Sequence, residues 1–331
     1  MLIASVYLEV AIESGFVPLN WDVVPRILLY ASAFLYAVSL LPLLAGRWGR
    51  GISFPAVFER LLGGALVCHV AFTVCRAWLA ARPPFFETIE LLSWFALCCG
   101  ALCLFGSRRF VSRFVIVFGV SCAFATTLAL GITYRAQVIP GIFALRSVRV
   151  WWYGFATPMG YAAGILAFAA QLRGVLAIAQ GTGTRAVNVF SVSEETMNSL
   201  ALSLVRFCYP LLLSGFLASG ISSLDAVGRA WFWQRSIAAQ LFTLVAYSVY
   251  MHLCTSMPGQ RGRIVVAQFA AFSGVLMSVL SFDLPQGLFR GLGFGLFLCV
   301  QFAECNLRLV AFAVAVCGLL RPRLVLRAWP E

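Results

Sequence analysis

The feature that most constrains this chain of 331 residues is a series of continuous apolar runs. A helix that crosses a hydrocarbon core of ~30 Å needs about 20 such residues, and these runs are of that length. Backbone groups in lipid must be hydrogen-bonded within the protein, and the runs do not alternate between apolar and polar residues, so helices are favoured over a barrel. The sequence therefore predicts an all-α, polytopic integral membrane protein.

Charged and turn residues divide these runs into separate candidate spans. They lie at residues 27–46, 61–80, 89–106, 113–133, 152–172, 203–221, 237–255 and 264–282. The tail from Gly291 to Leu320 is also apolar, but it contains Glu304 and Arg308, an i,i+4 pair that can share one helix face. The tail is therefore one long kinked helix or two short ones, and we expect nine spans within a range of eight to ten.

The arginines indicate the direction in which the spans cross. All 24 basic residues are arginines and the formal charge is +12, which in a soluble chain would suggest a nucleic-acid partner. Here the arginines lie mainly in short loops, so they indicate topology through the positive-inside rule, and no nucleic-acid partner is expected. An N-terminus outside puts most basic loops inside, and it puts these acids outside: Glu9, Glu13, Asp22, Glu87, Asp225 and Asp283.

This orientation predicts the regions of a multi-pass protein of the cytoplasmic membrane. Residues 1–26 form an outer N-terminal segment, residues 27–290 the main transmembrane domain, and residues 291–331 a further membrane segment with an inner basic tail. The connection 222–236, between the sixth and seventh spans, lies on the outer face. The 11 cysteines form no C-x-x-C pair, and most lie in apolar runs, where a thiol behaves as a small hydrophobic group.

The outer connection contains the stretch VGRAWFWQRS, in which tryptophans stand between arginines. Because both residue types collect at membrane interfaces, interfacial anchoring alone would explain Trp231 and Trp233. The stretch also resembles the tryptophan-rich signature of the cytochrome c assembly family, the CcsA and ResC type of haem-handling membrane protein. Gly228, Arg229, Trp231 and Trp233 match, whereas Val227, Gln234 and Ile237 stand where the family has Trp, Asp and Glu.

Other segments resemble the family in its order and spacing, over residues 60 to 295. In HVAFTVCRAW, His69 precedes an arginine by seven residues, as in a family segment. RPPFFETIELL keeps Pro84 and Glu90 of a second motif, and VAYSVYMHLCTS places His252 at a family histidine. FDLPQGLFRG occupies the position of a glycine-rich family motif that carries an outer histidine.

The resemblance implies a protein that accepts haem, holds it near the outer face beneath the tryptophan loop and presents it to apocytochrome c. A second membrane assembly subunit is the other implied partner. The physical basis is that aromatic rings stack on a porphyrin, arginines bind its propionates and histidines ligate its iron. We recognise no catalytic residue set in the sequence, so independent enzymatic activity is not expected.

The ligand set that the resemblance implies is incomplete, because the chain has only 2 histidines. The family's two outer histidines fall on Tyr153 and Phe289, so bis-histidine ligation at the outer face is not expected. Tyrosinate ligates ferric iron in some haem proteins, although interfacial placement is the simpler explanation of Tyr153.

The two histidines that are present differ in what they predict. His252 matches a membrane-embedded family histidine assigned to an inner haem site, so it is the candidate iron ligand. A polar group within a span usually faces the bundle interior, and an interhelical hydrogen bond would equally explain it. For His69 an interhelical hydrogen bond is favoured. Arg76 and Glu90 are a candidate structural ion pair near the outer face.

Two functions therefore stay open at this point. The leading one is a divergent haem-handling member of the cytochrome c assembly family. The alternative is a degenerate member that has lost haem ligation and serves as a structural subunit, or as a carrier of another amphipathic ligand. A secondary transporter is disfavoured because no convincing internal repeat is present.

Overall fold

The computed structural model describes residues 23–45, 54–80, 83–85, 87–107, 112–134, 147–179, 194–228, 235–257 and 259–280. Every regular element in these ranges is an α-helix. The helices are α1 Val23–Ala45, α2 Phe54–Ala80, α3 Thr88–Gly106, α4 Arg113–Thr133, α5 Val148–Ala179, α6 Glu194–Val227, α7 Arg235–Ser256 and α8 Arg261–Leu280.

Each of these helices is long and apolar enough to cross a membrane, and together they contain 8 candidate spans. This confirms the predicted all-α membrane bundle, and every described helix coincides with a predicted span. The expected ninth span and the basic tail lie outside the described residues, as do residues 1–22. The chain is therefore a multi-pass helical protein whose exposed apolar side chains fit contact with lipid.

Helices α5 and α6 are much longer than the predicted spans 152–172 and 203–221. They contain 32 and 34 residues, whereas a bilayer core requires about 20. Hydropathy detects only the part of a helix that lies in lipid, so the additional turns are not predicted from the apolar runs. One side-chain hydrogen bond joins an additional turn of α6 to α5, since Gln171 Nε2 donates to Asn198 Oδ1 at 3.0 Å.

Small residues allow α5 and α6 to pack closely along their length. A Cβ atom on Gly160 would lie 2.7 Å from Leu212 Cδ2. Close approach of backbones at glycine is typical of helix pairs in membranes, where apolar burial does not drive helices together. The pair therefore forms a closely packed unit, and α3, α4, α7 and α8 pack against it.

The helices alternate in direction, and side-chain contacts show which ends lie together. Arg149 near the start of α5 pairs with Asp225 near the end of α6. Trp152 of α5 also donates a hydrogen bond to Ser214 of α6. We call this the aromatic end; it comprises the starts of α1, α3, α5 and α7 and the ends of α2, α4, α6 and α8. At the opposite end, Arg261 of α8 pairs with Glu194 of α6 at 2.8 Å.

His69 lies at the centre of the first half of the bundle and is fully buried. Its Nδ1 is 3.2 Å from the Tyr36 hydroxyl of α1, and its Nε2 is 2.8 Å from the Ser93 hydroxyl of α3. The ring therefore links three helices by hydrogen bonds. This confirms the interhelical hydrogen bond that was favoured for His69.

Replacing His69 with leucine should lower the free energy of unfolding by about 1–3 kcal/mol, because both bonds are lost where water does not compete. The matched control is His252→Leu, since that histidine is exposed, and its effect should stay within about 0.5 kcal/mol. Unfolding of the purified protein in detergent would measure both. Equal losses in the two variants would contradict a structural role for His69.

Candidate functional site

Four aromatic side chains form a cluster at the aromatic end of the bundle. They are Phe85, which precedes α3, Trp94 of α3, and Trp152 and Phe155 of α5. Ring centres lie 5.2 Å apart for Trp94 and Phe155, 5.5 Å apart for Phe85 and Trp94, and 5.9 Å apart for Trp152 and Phe155. These spacings lie in the range preferred by aromatic pairs. We call these four residues the aromatic cluster.

Hydrogen bonds fix the two indole rings of the aromatic cluster. Trp94 Nε1 donates to the Phe155 carbonyl oxygen at 3.0 Å, and Trp152 Nε1 donates to Ser214 Oγ at 3.0 Å. Trp152 remains 43% exposed, while the other three rings are half-buried. The cluster thus presents preorganised aromatic surface at its outer edge.

Gly154 allows the segment before α3 to lie directly against α5. A Cβ atom at this position would be 2.5 Å from both the Cβ and the carbonyl oxygen of Phe85. Since one of these contacts is with backbone, rotation of a side chain could not relieve it. The absence of a side chain at residue 154 therefore leaves the space that Phe85 occupies in the aromatic cluster.

Gly154→Ala should displace Phe85 and lower the free energy of unfolding by about 1–3 kcal/mol, the usual cost of overpacking. The control is Gly63→Ala in α2, where no atom lies within 4 Å of an added Cβ. That variant should be neutral or slightly stabilising, because alanine favours a helix. Thermal unfolding in detergent measures both, and an unaffected Gly154→Ala protein would contradict the close packing.

An ion-pair group lies next to the aromatic cluster. Arg76, fully buried near the end of α2, donates from Nη2 to Glu87 Oε2 at 2.7 Å and lies 3.7 Å from Glu90 Oε1. Glu90 Oε2 also accepts from the backbone N–H of Glu87 at 3.2 Å, within a capping box that begins α3. The predicted pairing of Arg76 with Glu90 is confirmed, and Glu87 is the nearer partner.

Three buried donor atoms in this group have no hydrogen-bond acceptor. They are Nε and Nη1 of Arg76 and the hydroxyl of Tyr134, at the end of α4. The guanidinium carbon of Arg76 is 5.8 Å from the centre of the Tyr134 ring, and that of Arg26 is 5.6 Å from it. Two cations thus lie by one aromatic ring, which is an electrostatically favourable position for each.

Arg76→Gln should cost about 3–5 kcal/mol of unfolding free energy, because it removes one partner of a buried ion pair. The control is Arg149→Gln, whose ion pair is 52% and 57% exposed and should contribute less than about 1 kcal/mol. Adding Glu87→Gln to the first variant should recover part of the loss. Denaturation in mixed detergent measures these differences, and equal costs at the two arginines would contradict the buried ion pair.

Of the four residues that match the tryptophan signature, the structure describes only Gly228. Gly228 has a φ of 72°, and its N–H donates to the Leu224 carbonyl at 2.9 Å. A left-handed residue of this kind commonly ends a helix, and glycine adopts it without strain. The glycine of the signature thus has a backbone role at the end of α6. Arg229, Trp231 and Trp233 lie outside the described residues, in the connection to α7.

The two positions where the resembled family has outer histidines are Tyr153 and Phe289. Tyr153 is half-buried beside Gly154, and Phe289 lies outside the described residues. The expectation that His252 faces the bundle interior is wrong, because its side chain is exposed. The interior face of α7 carries the buried Gln240, Thr243, Tyr247 and Tyr250, and His252 falls on the other face. Its Nδ1 is 3.4 Å from the Ser256 hydroxyl of the same helix.

These placements decide which parts of a haem the described residues fit. The aromatic cluster fits a porphyrin face, and the donors of Arg76 fit a propionate. Neither described histidine lies at the aromatic end in a form that can ligate iron, since His69 is held by two hydroxyls and His252 is at the opposite end. The described residues therefore do not fit bis-histidine ligation.

Comparison with known proteins adds no family to this description. No protein-family model matches the chain, and no curated protein matches it.

The sequence analysis predicted none of the four residues of the aromatic cluster, and it did not predict Tyr134. Phe85 and Trp94 flank Glu87 and Glu90 in the segment that resembles a family motif, and Trp152 adjoins the candidate Tyr153. A signal was available, since aromatic residues at the ends of three predicted spans meet if the spans alternate in direction. The contact of Phe85 with α5 depends on the close approach at Gly154, which hydropathy does not report.

Proposed function

We propose that this protein is a haem-handling membrane protein of the cytochrome c assembly type, which holds haem at the aromatic end and presents it there. The observation that carries the proposal is the aromatic cluster beside a buried arginine with unpaired donors. A flat, amphipathic, dianionic ligand matches such a surface in shape and charge.

Chain connectivity supports the same location. Residues 229–234 join the end of α6 to the start of α7, and both lie at the aromatic end. Trp231 and Trp233 are therefore joined to the end of the bundle that carries Trp152, whose indole is bonded to α6. In this proposal the aromatic end faces outward from the cytoplasmic membrane, and apocytochrome c and a second membrane subunit are the partners. Bound haem would supply the group transferred, while the chain's own residues bind and orient it.

A second function is favoured by the histidines. No described histidine at the aromatic end is available to ligate iron. The protein would then use the aromatic end to carry another amphipathic anion, or it would be a structural subunit. The two functions differ in whether iron in the porphyrin contributes to binding.

An absorption spectrum of protein purified after expression with ample haem tests the first function. We expect a Soret band in the wild type. Trp231→Ala and Trp152→Ala should each lower the affinity for haem by about two- to tenfold, the usual range for an aromatic contact, and so weaken the band. Trp78→Ala is the matched control, because Trp78 also lies at the aromatic end but is 77% exposed and outside the cluster. Its spectrum should equal that of the wild type.

Three results would contradict the proposal or its location. The wild type could show no Soret band, which would leave only the second function. The three tryptophan variants could lose haem equally, which would indicate nonspecific partition into detergent. Loss of the band in His252→Ala alone would place the haem at the opposite end of the bundle.

A further inference from the structure

Arg206 of α6 is a charged residue on a surface that otherwise fits contact with lipid. It lies within the candidate span Glu194–Asp225, and its side chain is exposed. Exposed apolar side chains of the same helix pair include Phe207 of α6 and Val249 of α7. A charge on a lipid-facing surface is costly unless its side chain reaches the interface or an anion. The surroundings of Arg206 must therefore supply one of these.

Neither α6 nor α7 supplies an acidic partner for Arg206 at helical spacing. The acids of α6 are Glu194, Glu195 and Asp225, all near its two ends, and α7 contains no acid. Partners on one helix stand three or four positions apart, far less than these separations. Glu194 and Asp225 also pair with other arginines. The charge of Arg206 is therefore not balanced by its own helix or by α7.

The side chain of Arg206 extends toward the end of the bundle opposite the aromatic end. Tyr209 of α6 and Ser248 of α7 mark one level of these antiparallel helices, because Ser248 Oγ donates to the Tyr209 hydroxyl at 3.0 Å. From that level toward the opposite end, Arg206 is about 4.5 Å along α6. Cys254, with which the guanidinium interacts electrostatically, is about 9 Å along α7. The guanidinium thus extends past its own Cα, as in arginines that snorkel toward an interface.

His252 stands on the same lipid-facing surface, where that surface becomes polar. Exposed residues recur along one face of α7 at helical spacing, as Val245, Val249, His252 and Ser256. The first two are apolar, whereas the last two are polar and lie toward the opposite end. Nδ1 of His252 is 3.4 Å from the Ser256 hydroxyl. This order of side chains matches the passage from acyl chains to lipid headgroups.

The charges at the opposite end favour an anionic occupant. In the described part of the chain, the arginines at this end are Arg60, Arg113, Arg173, Arg206, Arg261 and Arg263. The acids there are fewer, namely Glu59, Glu194 and Glu195. An excess of arginine at one membrane surface attracts lipids that carry a net negative charge.

We propose that Arg206 and His252 form a binding site for the phosphate of an anionic phospholipid, in the leaflet at the opposite end of the bundle. The guanidinium donates charge-assisted hydrogen bonds to phosphate, and the imidazole supplies a further donor. The acyl chains lie along the apolar surface that includes Phe207 and Val249. The site is independent of haem, and it gives His252 a role other than iron ligation.

The test titrates the purified full chain in neutral detergent with phosphatidylglycerol or with phosphatidylcholine of the same acyl chains, and follows thermal stability. We expect phosphatidylglycerol to bind more tightly to the wild type. Arg206→Gln should lower the apparent affinity for phosphatidylglycerol about fivefold, the effect of one arginine near a charged membrane surface, and leave phosphatidylcholine binding unchanged. His252→Gln should cause a smaller loss in the same direction.

The control variant is Arg263→Gln, because Arg263 is exposed at the same end but donates to Gln260 Oε1 at 2.7 Å. It should retain most of the preference for phosphatidylglycerol. Equal losses in Arg206→Gln and Arg263→Gln would indicate general attraction to surface charge and would overturn the site. Equal binding of the two lipids by the wild type would overturn it as well.

Inorganic phosphate distinguishes a lipid from a soluble anion. It carries the same acceptor group without acyl chains, so it should not stabilise the wild type. Stabilisation by inorganic phosphate that Arg206→Gln removes would assign the site to a soluble anion and contradict the lipid. Because Arg206 is exposed, Arg206→Gln should keep wild-type stability in lipid-free detergent, and a change in lipid response then reports binding rather than folding.

Discussion

The buried ion pair of Arg76 with Glu87 and Glu90 is the interaction on which the rest of the aromatic end depends. It joins the end of α2 to the start of α3, and Glu90 also completes the capping box of α3. A buried charge is tolerated only when it is paired, so the position of Arg76 fixes the segment that carries its partners. That segment brings Phe85 to Gly154, and the aromatic cluster forms around this contact.

The two histidines show how the same residue type acquires different roles in one bundle. His69 is fully buried and bonded to hydroxyls from two other helices. His252 lies four residues from the end of α7 and is exposed. At His69 the hydrogen bonds of the ring compensate for its burial. At His252 the ring is exposed, so no such compensation is required. Burial alone would have distinguished them, but burial is a property of the assembled bundle.

The fold could be predicted from the sequence because lipid imposes a strong and local constraint. Each apolar run must become a helix by itself, so the described spans follow from hydropathy without knowledge of their neighbours. The pairing of Arg76 with Glu90 was also predictable, because two opposite charges near one predicted interface have few other partners. The helix faces were less predictable. His252 was assigned to the interior from a general rule, whereas the interior face of α7 follows Thr243, Tyr247 and Tyr250.

The aromatic cluster was not predictable because it depends on contacts between segments that are distant in the sequence. Trp94 donates to the backbone of Phe155, 61 positions away, and Trp152 bonds to Ser214, 62 positions away. No periodicity within one helix encodes such contacts. The contact of Phe85 with α5 depends in addition on Gly154, whose missing side chain lets the backbone of the segment before α3 approach.

An aromatic cluster beside a buried arginine has a kinetic consequence for the proposed function. Affinity differences between related complexes lie mainly in the dissociation rate. A porphyrin held by aromatic contacts and one acidic group lacks the additional bonds that two axial histidines would supply, so it would leave sooner. For a protein that presents haem to a partner, release is part of the task. The family that the sequence resembles has histidines where this chain has Tyr153 and Phe289, and that difference is compatible with the proposed carrier, which passes its ligand on.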